Sequence, residues 1–438
     1  MGAAKGRKQA FAPRGPLRGT APVPGDKSIS HRALIVAGLA VGCSHVAGLC
    51  DGLDLRATGG ALAAMGVGIA QQPDGAWSVA GVGVGGLLQP QAALRMGNSG
   101  TSARLLAGLV ASHRLRATFT GDRSLSRRPM ERVAAPLRRI GAGVTTSAGG
   151  TLPMLVEGLA PAVPRSHRLS IASAQLKSAL LLAGLNTPGV TEVREAAPTR
   201  DHLERLLKLF GAEVETNGDV IRLTGEAELI PQRVTIPGDA SAAAFLAVAA
   251  LVTSGSEVRI ENVGMNPRRT GLLELLREMD GDIVIGSRRE AAGEPVADLT
   301  VRHSALRGLE VPPELVPTMI DEFPILFIAA AFAQGTTRTR GLAELRVKES
   351  DRLAAMAEGL RAVGARVEEH EDGLTIHGSG GEALAGGAAL AACGDHRVAM
   401  SFAVAGLHAR EPIEIDDMDC VNTSFPGFTG ALAALASA

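Results

Sequence analysis

Two kinds of apolar segment alternate along the chain. The first is apolar almost all round and built of small and aliphatic residues, as in Leu180-Leu181-Leu182-Ala183 and Ile328-Ala329-Ala330-Ala331. Six such segments open on a polar or glycine-containing cap, near Asp26, Asn98, Ser173, Asp239, Asp321 and Asp395. A helix that is apolar on every side is a buried helix, and Asp, Asn or Ser at its start is an N-cap candidate. The second kind is amphipathic, as in R-D-H-L-E-R-L-L-K-L-F, and predicts helices over 127–140, 200–210, 267–279 and 349–363. Most of these end at a glycine and run into a short strand, as at Gly211-Ala212-Glu213-Val214 and Gly364-Ala365-Arg366-Val367. Glycine enters the left-handed conformation that closes a helix at little cost. Asn217-Gly218 then marks a hairpin between strands at 214–216 and 219–223.

The resulting unit is strand, buried helix, strand, exposed helix, hairpin, and six of them fill the chain. A longer repeat lies above it: Val23-Pro24-Gly25-Asp26-Lys27-Ser28 returns as Ile236-Pro237-Gly238-Asp239-Ala240-Ser241. Two homologous halves of three units follow, in the α/β class, with sheets outside three buried helices in each half. The chain passes between halves at Pro24 and Pro237, where proline restricts the backbone. One domain then holds 1–24 with 238–438 and the other 25–237, with an active site expected in the cleft between them.

Composition narrows the function. Apolar residues are 46% of the 438, and the net charge is −1, which argues against both disorder and a broad basic face for nucleic acid. Aromatics are 3%, with no tyrosine, so stacking platforms are scarce. The longest apolar run, 242–252, is too short for a membrane span. The opening M-G-A-A-K-G-R-K has no apolar core behind it, so it is not read as a secretory signal, and Gly6 stands where myristoylation wants Ser or Thr. No Arg- and Ser-rich transit segment is recognised either, and a bacterial cytoplasmic protein is expected. Cys43, Cys50, Cys393 and Cys420 form no C-x-x-C, so neither a disulfide framework nor a zinc site is expected.

Cations gather at the starts of the predicted helices: Lys27, Arg32, Arg104, Arg127, Arg128, Lys177, Arg200, Lys348, Arg352 and Arg397. That placement opposes the helix dipole and needs a reason. An anion supplies one, because a helix start offers unpaired N–H groups and Arg and Lys complete a phosphate or carboxylate site. Each motif taken singly also reads as a plain capped helix or turn, and Gly97–Arg104 lacks the G-K-[ST] of a P-loop. His31 and His396 read as packing residues. Cys393 has no partnered base and is a poor nucleophile candidate.

In order, the chain carries P-G-D-K-S-I-S-H-R, G-N-S-G-T-S-A-R, S-R-R-P-M, S-A-Q-L-K-S-A, T-R-D-H, D-E-F-P, R-V-K-E-S-D-R and D-H-R-V-A-M. From about Pro24 to Phe425 it resembles the EPSP synthase family of enolpyruvyl transferases. The resemblance implies two inside-out α/β barrels, each of three βαβαββ units. It implies transfer of the enolpyruvyl group of phosphoenolpyruvate to the 5-hydroxyl of shikimate 3-phosphate, with release of phosphate, in the shikimate route to chorismate and the aromatic amino acids. No metal and no organic cofactor is implied. Both substrates are anions, and like charges a few ångströms apart repel by about 4 kcal/mol at an effective dielectric of 20, so many cations are needed.

By the same resemblance Lys27 touches both substrates. Ser28, Arg32, Ser173, Ala174, Gln175, Arg200, Asp321 and Lys348 hold shikimate 3-phosphate. Gly100, Arg128, Gln175, Arg352 and Arg397 hold phosphoenolpyruvate. Asp321 takes the 5-hydroxyl proton, and Glu349 protonates the methylene carbon with Lys27 as competing donor. Ala174 stands where many members have Ser, and the Lys that many members carry before T-F-P is absent from Asn422-Thr423-Ser424-Phe425-Pro426. A branch that shares S-A-Q-x-K and T-S-F-P includes glyphosate-tolerant members with Ala where Gly100 stands. Gly100 therefore implies inhibition by glyphosate, and the family implies a monomer. The nearest rival, UDP-N-acetylglucosamine enolpyruvyl transferase, uses a loop cysteine, and none lies between Cys50 and Cys393. An RNA-cyclising relative lacks support without a basic surface. A silent anion trap would gain nothing from Asp321 and Glu349.

Overall fold

The computed structural model describes residues 6–437, so the start of the chain as far as Lys5 lies outside the described residues. The chain divides into two compact units. One comprises the segment ending at Pro24, Gly238–Arg289 and the chain from Pro295 onward; the other comprises Gly25–Pro237 and Glu290–Glu294. A boundary at 237/238 alone does not assign those last five residues. They group with the second unit because Glu294 pairs with His202 at 2.7 Å, and the Gly293 carbonyl accepts from Arg205 at 2.9 Å.

The unit around Gly25–Pro237 repeats one plan three times. Its middle repeat runs Leu94–Arg95, helix Gly100–Ala111, Arg116–Thr120, helix Glu131–Arg139, then the hairpin Gly143–Ser147 and Thr151–Glu157. The first strand pairs parallel with the second, and the hairpin adds two antiparallel neighbours. The third repeat has the same four-stranded order in Ser166–Arg168, Val190–Arg194, Val220–Thr224 and Val214–Asn217. The first repeat closes the ring. Its opening strand, Arg233–Thr235, comes from the far end of the unit and pairs parallel with Val41–Ala47. Sequence order alone puts that strand ahead of its helix; ring closure puts it last.

The three helices Lys27–Gly38, Gly100–Ala111 and Ala174–Leu185 are buried nearly throughout. The second and third touch backbone to backbone. A Cβ on Gly108 would stand 2.1 Å from the Ala179 carbonyl oxygen, so glycine is what permits the approach. That approach brings the starts of both helices together.

The other unit follows the plan less strictly. Its first repeat takes Arg18–Ala21 as opening strand, parallel to Glu257–Gly264. In the next the opening strand is reduced to isolated bridges, Arg307 with Gln334 and Glu310 with Arg338. The last has parallel pairs at Leu384–Gly386 with Ala409–Glu411 and Ala389–Leu390 with Ile413–Ile415. The helix Phe428–Ser437 takes the place of the exposed helix, no hairpin follows it among the described residues, and the antiparallel edge is supplied by Gln9–Phe11 instead. Six units fill the chain as expected, and the correction is confined to the last, which lacks its own hairpin. The buried helices are Ala240–Val252, Phe323–Phe332 and His396–Gly406, with every residue buried. No helix among the described residues is long and apolar enough to cross a membrane.

Capping refines two expected starts. Ser99, not Asn98, caps its helix by accepting from Ser102 N–H at 3.1 Å, and Asn98 is spent on Arg128 instead. Glu322, not Asp321, occupies the N-cap position of the next buried helix, which begins at Phe323 with Pro324 in its first turn, where a missing N–H costs no helical bond.

Candidate functional site

In the unit around Gly25–Pro237, three buried helices end their N-termini close to one another. Asp26 accepts from Ile29 N–H at 2.9 Å and starts the first helix, so Lys27 and Ser28 occupy its first turn. Lys27 Nζ donates to Asp54 at 3.1 Å. Arg32 lies one turn further in and is fully buried. It donates to the Ser28 carbonyl at 2.9 Å and to Ser178 Oγ at 2.9 Å, and reaches the Ala174 carbonyl at 3.5 Å. Arg200, in the loop before its helix, donates to Ser28 Oγ at 3.3 Å.

Burial, then the Arg200 charge, lowers the Arg32 guanidinium to a pKa of about 10. Two guanidinium groups held at mutual cost next to helix starts is an arrangement that an anion would satisfy.

The second cluster surrounds Gly100. Arg104 donates to Gln175 Oε1 at 2.7 Å and to the Pro129 carbonyl at 3.2 Å. Gln175 in turn donates to Thr101 Oγ1 at 2.9 Å. Arg128 is held by Asn98 and Ser124. A Cβ built on Gly100 would lie 2.9 Å from Arg104 Nη1 and 3.3 Å from Arg128 Nη1, so both guanidinium groups flank this bare helix start. Ser173 caps its helix, accepting from Leu176 N–H at 3.3 Å. Its hydroxyl hydrogen is a donor in addition.

Lys177 departs from the expected pattern. Its side chain is 0% exposed and bridges Glu195 at 3.0 Å and Glu204 at 2.7 Å. These carboxylates were invisible to a reading of charge at helix starts, and they remove Lys177 from the anion-binding set.

The other unit places the carboxylates. Asp351 caps its helix, accepting from Ala354 N–H at 3.0 Å, so the helix starts at Arg352 and Lys348–Ser350 stay in the preceding loop. Lys348 Nζ and Arg352 Nη1 both donate to Asp321 Oδ1, at 3.3 and 3.4 Å. Arg352 also donates to Glu349 at 2.6 Å and to the fully buried Asp395 at 2.8 Å. Arg397 donates to the Asp321 carbonyl oxygen at 2.8 Å. Asp321, Lys348, Glu349, Arg352 and Arg397 thus form one cluster. Arg269 and Glu322, which the sequence did not single out, brace it: Glu322 is 2% exposed and pairs with Arg269 at 3.3 Å and Arg397 at 3.4 Å. The D-E-F-P string carried that signal, since it holds two acids and only the first was assigned.

Two alternatives lose support. Burial, then Asp416 and Asp395, raises the Cys393 thiol, away from the thiolate a nucleophile needs. Asp201, His202 and Glu294 offer three ligand atoms within 4.8 Å of one another. Arg205 already supplies a cation there, 3.0 Å from Asp201 and 3.7 Å from Glu294, so the donor set is a poor fit for a metal ion.

Helix starts that collect cations in one unit, and a carboxylate held between Lys and Arg in the other, on two three-fold α/β units, define an enolpyruvyl transferase-type protein. The structure matches the enolpyruvyl transferase NikO of Streptomyces tendae with a TM-score of 0.77 over 98% of each chain at 18% identity, a likeness of fold. The chain belongs to the EPSP synthase (3-phosphoshikimate 1-carboxyvinyltransferase) family, whose model matches residues 11–432. It is 59% identical over 436 residues, 98% of each chain, to the 3-phosphoshikimate 1-carboxyvinyltransferase of Sphingopyxis alaskensis. The enzyme of that name from Novosphingobium aromaticivorans is 57% identical, over 97% of this chain and 98% of its own. An EPSP synthase structure from Acinetobacter baumannii aligns with a TM-score of 0.87 over 98% of each chain, at 45% identity.

Proposed function

We propose that the chain transfers the enolpyruvyl group of phosphoenolpyruvate to the 5-hydroxyl of shikimate 3-phosphate, and that both residue clusters serve this one pair of substrates. The observation that carries the reading is the Asp321 carboxylate 3.3 Å from Lys348 and 3.4 Å from Arg352. An acid in that setting is poised to accept a hydroxyl proton beside bound anions.

Lys27, Ser28, Arg32 and Arg200, with Ser173, Ala174 and Gln175, take shikimate 3-phosphate. Arg128, Arg352 and Arg397, with Gly100 and Gln175, take phosphoenolpyruvate, and Lys27 contacts both substrates. Asp321 removes the 5-hydroxyl proton as the oxygen attacks C2 of phosphoenolpyruvate. Glu349 delivers a proton to the methylene carbon, with Lys27 the competing donor, and a tetrahedral ketal forms. Loss of a proton from the new methyl group and departure of phosphate regenerate the enol ether. Glu349 lies 2.6 Å from Arg352, so a substrate carboxylate on that arginine brings the methylene carbon near the acid. We assign the chain to the cytoplasm as a monomer, and four cysteines outside any disulfide suit a reducing compartment.

The test is phosphate release. Purified protein with both substrates should release phosphate and form the enol ether, with no release when either substrate is omitted. Absence of turnover with both present would overturn the reading.

Gly100 gives a sharper prediction. Glyphosate, a phosphonate that competes with phosphoenolpyruvate, should inhibit the wild type. A methyl at Gly100 must displace Arg104 and Arg128 by a few tenths of an ångström, and one methyl group in a tight pocket is worth roughly 10–200-fold in discrimination. Gly100→Ala is expected to raise the glyphosate inhibition constant by roughly 100-fold and the KM for phosphoenolpyruvate by less. An unchanged inhibition constant in steady-state assays would remove the steric argument.

A further inference from the structure

We infer that the buried Lys177–Glu195–Glu204 cluster is a clamp that positions Arg200 by gripping Thr199, and that Lys177 and Thr199 are positioning residues for recognition of the 3-phosphate. This rests on the reading of Arg200 as a phosphate ligand.

Arg200 belongs to no helix or strand: the stretch between the strand Val190–Arg194 and the helix His202–Leu209 is a loop. A loop arginine ordinarily spends its side-chain freedom in water. This one is anchored at its neighbour. The Thr199 N–H donates to Glu195 Oε1 at 3.0 Å, and the Thr199 hydroxyl donates to the same oxygen. The Thr199 carbonyl accepts from Lys177 Nζ at 3.3 Å. Lys177 is in turn fixed between Glu195 and Glu204, all three side chains at most 4% exposed. Every polar group of Thr199 is therefore engaged by one buried ion cluster that also ties it to the helix Ala174–Leu185, whose first turn carries Ala174 and Gln175.

Two arguments give the clamp a purpose. A buried ion cluster is a weak stabiliser, because desolvation offsets most of the attraction and apolar residues of similar volume commonly do as well. The Arg200 charge also works against its neighbour, being the next cause after burial of the lowered Arg32 pKa. Without an anion the two guanidinium groups repel, and a freely jointed Arg200 would turn away. Holding the backbone at Thr199 keeps Arg200 beside Ser28, 3.3 Å from its hydroxyl, so the site is set before the phosphate enters.

The experiment measures binding of shikimate 3-phosphate and of shikimate, which lacks the phosphate, by calorimetry, alongside steady-state kinetics. Thr199→Val keeps the shape and removes the hydroxyl; Thr199→Ser restores it. Misplacement of a ligand-binding group by about 1 Å costs up to roughly 100-fold. Thr199→Val is expected to weaken shikimate 3-phosphate roughly tenfold and to raise its KM alike. Shikimate binding, the KM for phosphoenolpyruvate and kcat should stay within about twofold, and Thr199→Ser should restore the wild-type values. Thr199→Ala, which cannot overfill the site, stands in if the valine variant folds poorly. In an Arg200→Ala background Thr199→Val should add no further loss, since both act through one contact. Equal losses for the two ligands, or additive losses with Arg200→Ala, or no loss at all, would overturn the clamp. If Arg200→Ala itself leaves shikimate 3-phosphate binding intact, the assignment of Arg200 fails and takes the clamp with it; if Arg200→Ala weakens binding and Thr199→Val does not, the clamp alone fails.

Discussion

Asp321→Asn is expected to lower kcat by about a thousandfold while leaving the KM for shikimate 3-phosphate within about fivefold, in the range general acid–base groups contribute. The asparagine has the same shape and keeps an acceptor oxygen for Lys348 and Arg352, which now sit 3.3 and 3.4 Å from Oδ1. Binding groups therefore stay near their places. What is lost is a site for the proton of the 5-hydroxyl. A deficit confined to the proton transfer lowers kcat and kcat/KM together, which separates it from lost ground-state binding. Single-turnover quench measurements should show the same thousandfold deficit in formation of the tetrahedral ketal. A variant that turned over within tenfold of the wild type would take Asp321 out of the mechanism.

The legible part of this molecule was its local part. Asp26, Ser173, Asp239 and Asp395 each accept from an N–H of the helix they precede, as their positions before apolar runs predicted. The buried helices, the hairpin at Asn217-Gly218 and the two-unit α/β plan followed from such signals. Pairings between distant residues did not. Nothing near Lys177 announces that Glu195 and Glu204 will neutralise it, and nothing near Lys27 announces Asp54. The strands Arg233–Thr235 and Arg18–Ala21 complete sheets whose other members lie far off in the chain. A short strand carries its pattern over three or four residues, too few to name a partner. The same limit hid Arg269 and Glu322: a buried acid among apolar neighbours looks like any surface acid until its cation, 53 residues away, is seen.

That dependence on distant partners makes Arg352 the residue whose loss should be felt in both stability and activity. Its side chain is 1% exposed and meets Asp395, Glu349 and Asp321 at 2.8, 2.6 and 3.4 Å. Burial works to lower its pKa, and the charges of Asp395 and Glu349 outweigh that, holding it above the ordinary arginine value. Arg352→Met leaves three carboxylates without their shared cation. Breaking a buried pair from one side costs about 3–5 kcal/mol, so the denaturant midpoint should fall by that equivalent. Charge-assisted hydrogen bonds to a substrate carboxylate are worth about 1.5–3 kcal/mol, so the KM for phosphoenolpyruvate should rise roughly 10–100-fold in the fraction that folds. Arg352→Lys restores the charge without the planar fork. It should recover most of the stability and little of the affinity, and equal recovery of both would show that Arg352 acts as a point charge alone.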